Sequence, residues 1–451
     1  MLRIIFFITQ LILLGASAVR LRDTPGRIDL NWLDDAIVTH FSVCLLVIVF
    51  IFFGLWFIYY IFNMILSAPK TFLDGRKNRR QSEGYKALTF GMAAVAAGDK
   101  DEAIRMSRKA NKLIKDPSVT RLLSAQTATL NGDEAAAVNY FNALSEDHET
   151  EFVGLLGLMR QAMANQDPTW LLELTKKAHK KRPESVFVCE TLFSLQTKAA
   201  DWENAQNTLT DAVRRKVKTE IVAKGPRVTI YTARALVFKN NDMVLEATQY
   251  ADKALNDNKN FIPAAILRAT LIKKPLKERK VVRVLEEIIS SNPHRELIIN
   301  YLNLWSEETP LQRFQRLQKV TMKSLNTVQS QLILAEIALD AELWGEARKN
   351  LDGISLDDMT SHGYRLMARI EQREKNDEKE ARRWLEMSIT AKNDHFWTCN
   401  SCGATSDEWA ALCGNCGSFD MLTWKVPPRV STLSNRITLN APEAQFEIIE
   451  Q

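Results

Sequence analysis

Apolar residues follow two different patterns along the chain. Near the N-terminus they form two nearly continuous runs, one at residues 4–19 and a longer one at residues 41–66 that contains no charged residue. From about residue 82 to residue 391 they recur instead at helical spacing, and little of this region is typical of strands. The pattern predicts an all-α protein with an apolar N-terminal part and a long helical domain.

The longer apolar run predicts a transmembrane helix. It exceeds the roughly 20 residues that a helix needs to cross the hydrocarbon core, where the backbone has no water partners. Basic residues follow it almost at once, and positive charge beside a span marks its cytoplasmic end; they are Lys70, Arg76, Lys77, Arg79 and Arg80. We therefore predict a membrane anchor over residues 1–68, a basic juxtamembrane linker over residues 69–81 and a cytoplasmic remainder.

The shorter run at residues 4–19 has two interpretations. As a first transmembrane helix it would form a hairpin with the second, and Arg20 to Thr39 would be a small loop on the far side of the membrane. As a cleaved signal peptide it would use the small residues Ala16, Ser17 and Ala18. Both interpretations leave most of the chain in the cytoplasm.

The helical region repeats with a period of 34 residues. Ala103 and Ala137 are 34 residues apart, as are Ala347 and Ala381. This period is typical of tetratricopeptide repeats, in which helical hairpins stack into a superhelix with a groove for protein partners. We predict a tetratricopeptide solenoid of about eight or nine units over residues 82–391. The repeat boundaries within residues 256–328 are not assigned. An irregular all-helical domain is the alternative.

Two Cys-x2-Cys turns near the C-terminus carry the strongest chemical signal. Cys399 and Cys402 form one pair, Cys413 and Cys416 form the other, and a glycine follows each pair. Two such turns direct four thiolates at one ion and leave no open position for a substrate. We predict a compact zinc-ribbon or rubredoxin-like knuckle over residues 395–424, hereafter the ribbon, with a structural metal. Zinc is favoured, and iron with a redox role is the alternative.

Aromatic residues surround these cysteines, and we expect them to cover the metal site and dock the ribbon onto the last helical repeat; they are Phe396, Trp397, Trp409, Phe419 and Trp424. Five further tryptophans are expected to pack between helices, namely Trp170, Trp202, Trp305, Trp344 and Trp384. Residues 427–451 are rich in Ser, Thr, Asn and Pro and are expected to form a flexible tail.

Other sequence features argue against catalysis and against nucleic-acid binding. No Gly-rich phosphate loop and no Gly-x-Ser-x-Gly motif occurs. His148, His179 and His294 lie in polar segments at helix boundaries and are expected to be ordinary surface residues. The net charge of +5 is spread along the chain, which favours contact with lipid headgroups. We therefore predict a protein that is not an enzyme. The sequence does not indicate an oligomeric state.

The order of these features resembles the bacterial HemY N-terminal-domain family, in its alphaproteobacterial-like form. The similar parts are the first apolar run, the segment Asp23–Trp32, the long span, Ala97-Gly98-Asp99 and the cysteine pairs with Trp397, Gly417, Phe419 and Asp420. The resemblance implies a multi-pass inner-membrane tetratricopeptide protein, with its repeats in the cytoplasm, that recruits enzymes of haem biosynthesis.

Two other functions are compatible with the same layout. The layout of anchor, repeats and cysteine module is also similar to that of membrane-tethered adaptors of lipopolysaccharide assembly. This similarity implies envelope-synthesis enzymes as partners. A direct carrier of haem or porphyrin is the remaining alternative.

Overall fold

The computed structural model describes residues 27–32 and 35–428, and within them the side chains of residues 47, 49–62 and 77–428. The apolar run at residues 4–19 and residues 429–451 of the predicted tail lie outside the described residues. The strands are β1 (Arg27–Trp32), β2 (Asp35–His40), β3 (Phe396–Cys399), β4 (Thr405–Ser406) and β5 (Leu422–Lys425).

The α-helices of the described residues are α1 (Phe41–Ala97), α2 (Lys100–Leu113), α3 (Pro117–Asn131), α4 (Glu134–Ser145), α5 (Glu151–Ala164), α6 (Pro168–Lys181), α7 (Val186–Lys198), α8 (Trp202–Arg214), α9 (Glu220–Asn240), α10 (Val244–Asp257), α11 (Ile262–Leu271), α12 (Arg279–Ser291), α13 (Arg295–Leu302), α14 (Pro310–Val320), α15 (Val328–Asp340), α16 (Trp344–Asp352), α17 (Ser361–Ile370) and α18 (Glu378–Thr390).

The chain divides into two compact units, residues 1–150 and residues 151–451. The first unit contains α1–α4 and an antiparallel pair of strands, in which Arg27 of β1 lies opposite His40 of β2. The sequence predicted a loop here, and the backbone pairing gives this segment a regular structure. The second unit contains α5–α18 and the ribbon.

Helix α1 is 57 residues long and includes the predicted span, the predicted linker and the first helix of the first repeat. Its apolar side chains from Phe50 to Phe62 are mostly exposed. Among the described residues, no helix combines the length and the apolar character needed to cross a membrane. The side chains of residues 41–46 and 63–76, at the two ends of the predicted span, lie outside the described residues.

From the C-terminal part of α1 onward, each odd-numbered helix packs against the even-numbered helix that follows it. The described residues thus form nine helical hairpins, two in the first unit and seven in the second. The prediction of tetratricopeptide-like helical hairpins is confirmed. In the second unit, α9 contacts α11, α11 contacts α13 and α15 contacts α17. The odd-numbered helices α7 to α17 together form what we call the first-helix face.

Small residues lie where the helices approach most closely. Ala103, Ala137, Ala205 and Ala347, which mark the period in the sequence, are fully buried in the second helices of their hairpins. At Gly91, an added Cβ would lie 2.7 Å from Cδ2 of Leu123. Larger side chains at these positions would force the helices apart, and so the repeat retains small ones.

The turn inside each hairpin explains the period. The residue two positions before the second helix adopts a positive φ at positions 98, 132, 166 and 200, and again at 342 and 376, with intervals of 34 residues inside each group. An aspartate usually follows and caps the second helix through its side chain; these are Asp99, Asp133, Asp167, Asp201 and Asp377. Only two of the six positive-φ residues are glycines. The other four turns therefore have no glycine by which they could be recognised in the sequence.

Candidate metal centre

The four cysteines lie on a small antiparallel sheet and on the turns that connect it. Strand β3 is the middle strand, with β4 on one side and β5 on the other. Cys399 is the last residue of β3 and pairs with Leu422 of β5. The side chains of Cys399 and Cys413 are buried, whereas those of Cys402 and Cys416 are exposed. The sheet fixes one cysteine pair, and the second pair lies on the loop between β4 and β5.

The two cysteine turns have the same backbone geometry. The amide of Gly403 donates to the carbonyl of Cys399 at 2.9 Å, and the amide of Gly417 donates to that of Cys413 at 2.8 Å. Both glycines have a positive φ, +74° and +67°. Glycine adopts this conformation at no steric cost, which is why it follows each Cys-x2-Cys pair.

The four sulfur atoms converge on one point. All of them lie within 4.8 Å of one another. Sγ of Cys399 is 3.8 Å from that of Cys416, and Sγ of Cys402 is 3.7 Å from that of Cys413. For a tetrahedral ion with metal–sulfur bonds of about 2.3 Å, neighbouring sulfurs are about 3.8 Å apart. The donor set therefore fits zinc, and the cysteine cluster predicted from the sequence is brought together.

Hydrogen bonds to the sulfurs favour the thiolate form at two of the cysteines. The hydroxyl of Ser418, 3.2 Å from the Cys416 sulfur, lowers the pKa of that thiol to about 6. The Asn415 amide donates to Cys402 and lowers its pKa. Burial has the opposite effect on Cys399 and raises its pKa to about 11. A bound cation would offset that cost, because metal binding requires all four thiols to be deprotonated.

The ribbon packs against helices that are distant from it in the sequence. Phe419 lies between Phe193 of α7 and Trp202 of α8, with ring centroids 5.7 and 6.1 Å away. Beside it, the hydroxyl of Thr229 on α9 donates to the carboxylate of Asp420 at 2.6 Å. Burial raises the pKa of Asp420. These contacts tie the second cysteine turn to the beginning of the second unit.

Three ribbon tryptophans extend this contact along the first-helix face. Trp409 packs edge-on against Phe261, just before α11, at 5.6 Å. Trp397 and Trp424 both pack against His294, just before α13. The aromatic residues dock the ribbon onto helices, but the ring contacts among the described residues are with earlier hairpins, whereas we expected the last repeat. Repeated hairpins place their first helices side by side, and one module can therefore contact several of them.

The prediction for His294 is wrong. It is 2% exposed, and neither ring nitrogen has a hydrogen-bond partner among the described residues. Burial lowers its pKa to about 4. His148 is exposed as predicted, and His179 lies near Asp211 and Cys189, away from the metal centre. Polar neighbours in the sequence suggested a surface position for His294, but ribbon residues more than 100 positions away bury it.

Comparison with known proteins supports the resemblance stated for the N-terminal part. The family described as "HemY protein N-terminus" matches residues 26–132 and confirms the resemblance over that range. The chain is 23% identical to the "Probable magnetosome protein Mms48" of Magnetospirillum gryphiswaldense over 412 residues. This similarity covers 89% of the chain and 88% of the relative.

Solved structures of repeat proteins show a weak similarity. The TPR2AB domain of yeast Sti1 in complex with pHSP90 covers 54% of this chain and 98% of its own, with 17% identity and a TM-score of 0.26. The Naa15/Naa10 structure bound to HypK-THB covers 71% of this chain and 54% of its own, with 13% identity and a TM-score of 0.34. The fold is therefore described from its own helix pairs.

Proposed function

We propose that the chain is a non-catalytic, membrane-anchored tetratricopeptide adaptor that recruits protein partners at the cytoplasmic face of the bacterial inner membrane. One observation carries the proposal: the first-helix face already holds a small β-module, the ribbon, through aromatic and polar contacts. A surface of this kind suits protein binding. The solenoid of this proposal is residues 82–391.

We propose that residues 1–68 form the membrane anchor, with apolar segments at residues 4–19 and 41–66. The linker at residues 69–81 joins this anchor to the repeats. The exposed apolar side chains on α1 between Phe50 and Phe62 support it, because exposed apolar surface of this size is typical of a membrane or protein contact. Anchoring would raise the effective concentration of a partner that is itself at the membrane.

Replacing Phe50 and Phe57, both exposed on α1, by lysine tests the anchor. Each charge in a membrane span costs about 3 kcal/mol, so the double variant should leave the membrane fraction after carbonate extraction. The matched control is Phe90→Lys, which changes an equally exposed residue on the same helix outside the proposed span. Retention of the double variant in the membrane to the wild-type extent would exclude residues 41–66 as a required part of the anchor.

We propose that a structural zinc ion binds to Cys399, Cys402, Cys413 and Cys416. Iron is the other candidate. The sulfur spacing supports tetrahedral binding of either ion. When bound, the ion would cross-link the two turns and would supply no catalytic step, because every position around it is a protein sulfur. Metal analysis of protein purified without added zinc separates the two ions.

Enzymes of haem biosynthesis are the proposed partners, and the match to the HemY protein N-terminus supports them. The test is to solubilise the full-length protein from native membranes in mild detergent and to identify co-purifying proteins by mass spectrometry. Enrichment of porphyrin-pathway enzymes over a mock purification from membranes that lack the tagged protein is the expected result. Enrichment of envelope-synthesis enzymes alone would replace the haem-pathway assignment, and enrichment of no protein would overturn the adaptor.

A further inference from the structure

A cavity of about 640 Å³ lies between the ribbon and the first-helix face. Its walls come from the beginnings of α13, α15 and α17 on one side and from the ribbon on the other. Glu296, Leu332 and Trp424 line it, together with Asp407, Glu408 and the buried His294. The cavity is separate from the four cysteines, and the proposed metal centre does not use it.

Three of the four carboxylates that line the cavity have no ion-pair partner among the described residues. Glu296, Asp407 and Glu408 form no ion pair within the part of the chain that the structure describes. Burial raises the pKa of Glu296, and the negative charge of Glu408 raises it further, while Lys239 lowers it only weakly. A solenoid helix and the ribbon thus bring like charges together across their interface.

The cationic side chain at the cavity is already neutralised. Arg295 binds Glu336 through two hydrogen bonds of 2.8 and 2.6 Å. A further wall residue, Asp394, accepts from Arg365 at 2.7 Å and does not add a free charge. The cavity therefore retains an excess of negative charge from residues on both of its sides.

A buried group without a partner also faces this region. Both ring nitrogens of His294, which is 2% exposed, lack a hydrogen-bond partner among the described residues, and one of them is an acceptor in the neutral imidazole. An unpaired buried polar group costs about 1–3 kcal/mol, and a ligand that bonds to it recovers this energy.

We propose that this cavity binds a cationic side chain, preferably arginine, from a basic segment of the partner protein. The proposal rests on the adaptor function and names the chemistry of its partner. Arginine matches the site because its planar head pairs with carboxylates and can donate to an imidazole nitrogen, while its stem packs on apolar walls such as Leu332. A single metal ion fits less well, because among the described residues the cysteines are the metal-ligand group that converges.

Binding is tested on the full-length, metal-loaded protein in detergent with a short fluorescein-labelled peptide of arginine, glycine and serine. The variant is Glu296→Gln with Glu408→Gln, which preserves shape and removes charge from both walls. We expect binding to weaken by roughly tenfold or more. The control is Glu173→Gln with Glu386→Gln, which removes the same charge from exposed residues outside the cavity. It should bind like the wild type.

Three results would overturn the proposal: equal binding by the cavity variant and the wild type, equal loss in the control, or equal binding of a peptide with glutamate in place of arginine. Displacement of the peptide by magnesium at stoichiometric concentration would also overturn it and assign the cavity to a metal ion. Circular dichroism and metal content verify that the variants fold.

The adaptor function can be separated from this site. If wild type and cavity variant capture the same partners from membranes in equal amounts, the adaptor stands and the cavity proposal fails. If the wild type captures none but binds the arginine peptide with the expected loss in the variant, the cavity stands as a cation site and the adaptor fails.

Discussion

The helical hairpins and the ribbon are stabilised in different ways. Each hairpin repeats the same arrangement, in which a fully buried alanine such as Ala137 or Ala205 lets two helices approach and a capping aspartate begins the second helix. The ribbon has three short strands and few buried apolar side chains. Its order depends on four sulfurs and on aromatic contacts with the hairpins. Loss of one contact should therefore matter little in a hairpin and greatly in the ribbon.

The largest expected effect is the loss of the metal. Replacing Cys399 and Cys402 together by serine should release the ion and unfold residues 396–424, because structural zinc contributes on the order of 10 kcal/mol to such small folds. Most of the helical circular-dichroism signal should remain, since repeats interact mainly with their neighbours. Loss of more than about a third of the helical circular-dichroism signal would contradict the expected difference between the hairpins and the ribbon. Cys189→Ala, which removes an isolated buried thiol, is the control and should keep the ion.

The next effect concerns the dock of the ribbon. Phe419→Ala removes a ring that packs against Phe193 and Trp202, and it should lower the free energy of unfolding by about 2 kcal/mol, since the side chain is only partly buried. The ion should remain bound. Met421→Ala removes an exposed side chain of the same module and should change little in a urea titration. Equal stabilities of the two variants would mean that the dock contributes no stability.

An effect that is smaller for each pH unit links the dock to pH. The pKa of His294 is about 4 in the folded protein, below its ordinary value of 6.5, because of burial. Between these values the unfolded chain binds more protons, and stability should fall by about 1 kcal/mol per pH unit as the pH decreases. Above pH 6.5 this residue contributes no slope. His294→Phe should flatten the decrease, measured by urea titration at several pH values. Parallel curves for the two proteins would exclude this role.

The smallest effect is expected in a hairpin turn. Asp133→Ala removes the carboxylate that accepts from the amide of Ala136 at 3.0 Å, which should cost about 1 kcal/mol. Hydrogen exchange of α4 should accelerate by about fivefold, while the ribbon should be unaffected. Asp101→Ala, in the first turn of α2 but not at its cap, is the control and should change exchange of its own helix less. Global unfolding of the Asp133→Ala variant would show that a hairpin does not tolerate the loss of one capping contact.

The sequence predicted features that depend on local spacing. The two Cys-x2-Cys turns identified all four sulfurs of the cysteine cluster, and the alanine period identified helices with buried small residues. Turns at Gln166 and Ala200 were missed, because a non-glycine residue in the left-handed region leaves no signature in the sequence. The position of the dock and the burial of His294 were missed for a different reason. They depend on contacts between residues that are more than 100 positions apart.

The hydrogen bond between Thr229 and Asp420 joins residues 191 positions apart. A ribosome that adds roughly 5–20 residues per second needs about 10–40 s to synthesise the intervening chain. During that time the helices that will hold the ribbon are synthesised one after another, but the ribbon itself does not yet exist. Each newly synthesised chain therefore exposes its first-helix face to other cellular proteins before its own ribbon can cover it. The order of synthesis thus lets a partner protein reach this face before the ribbon does.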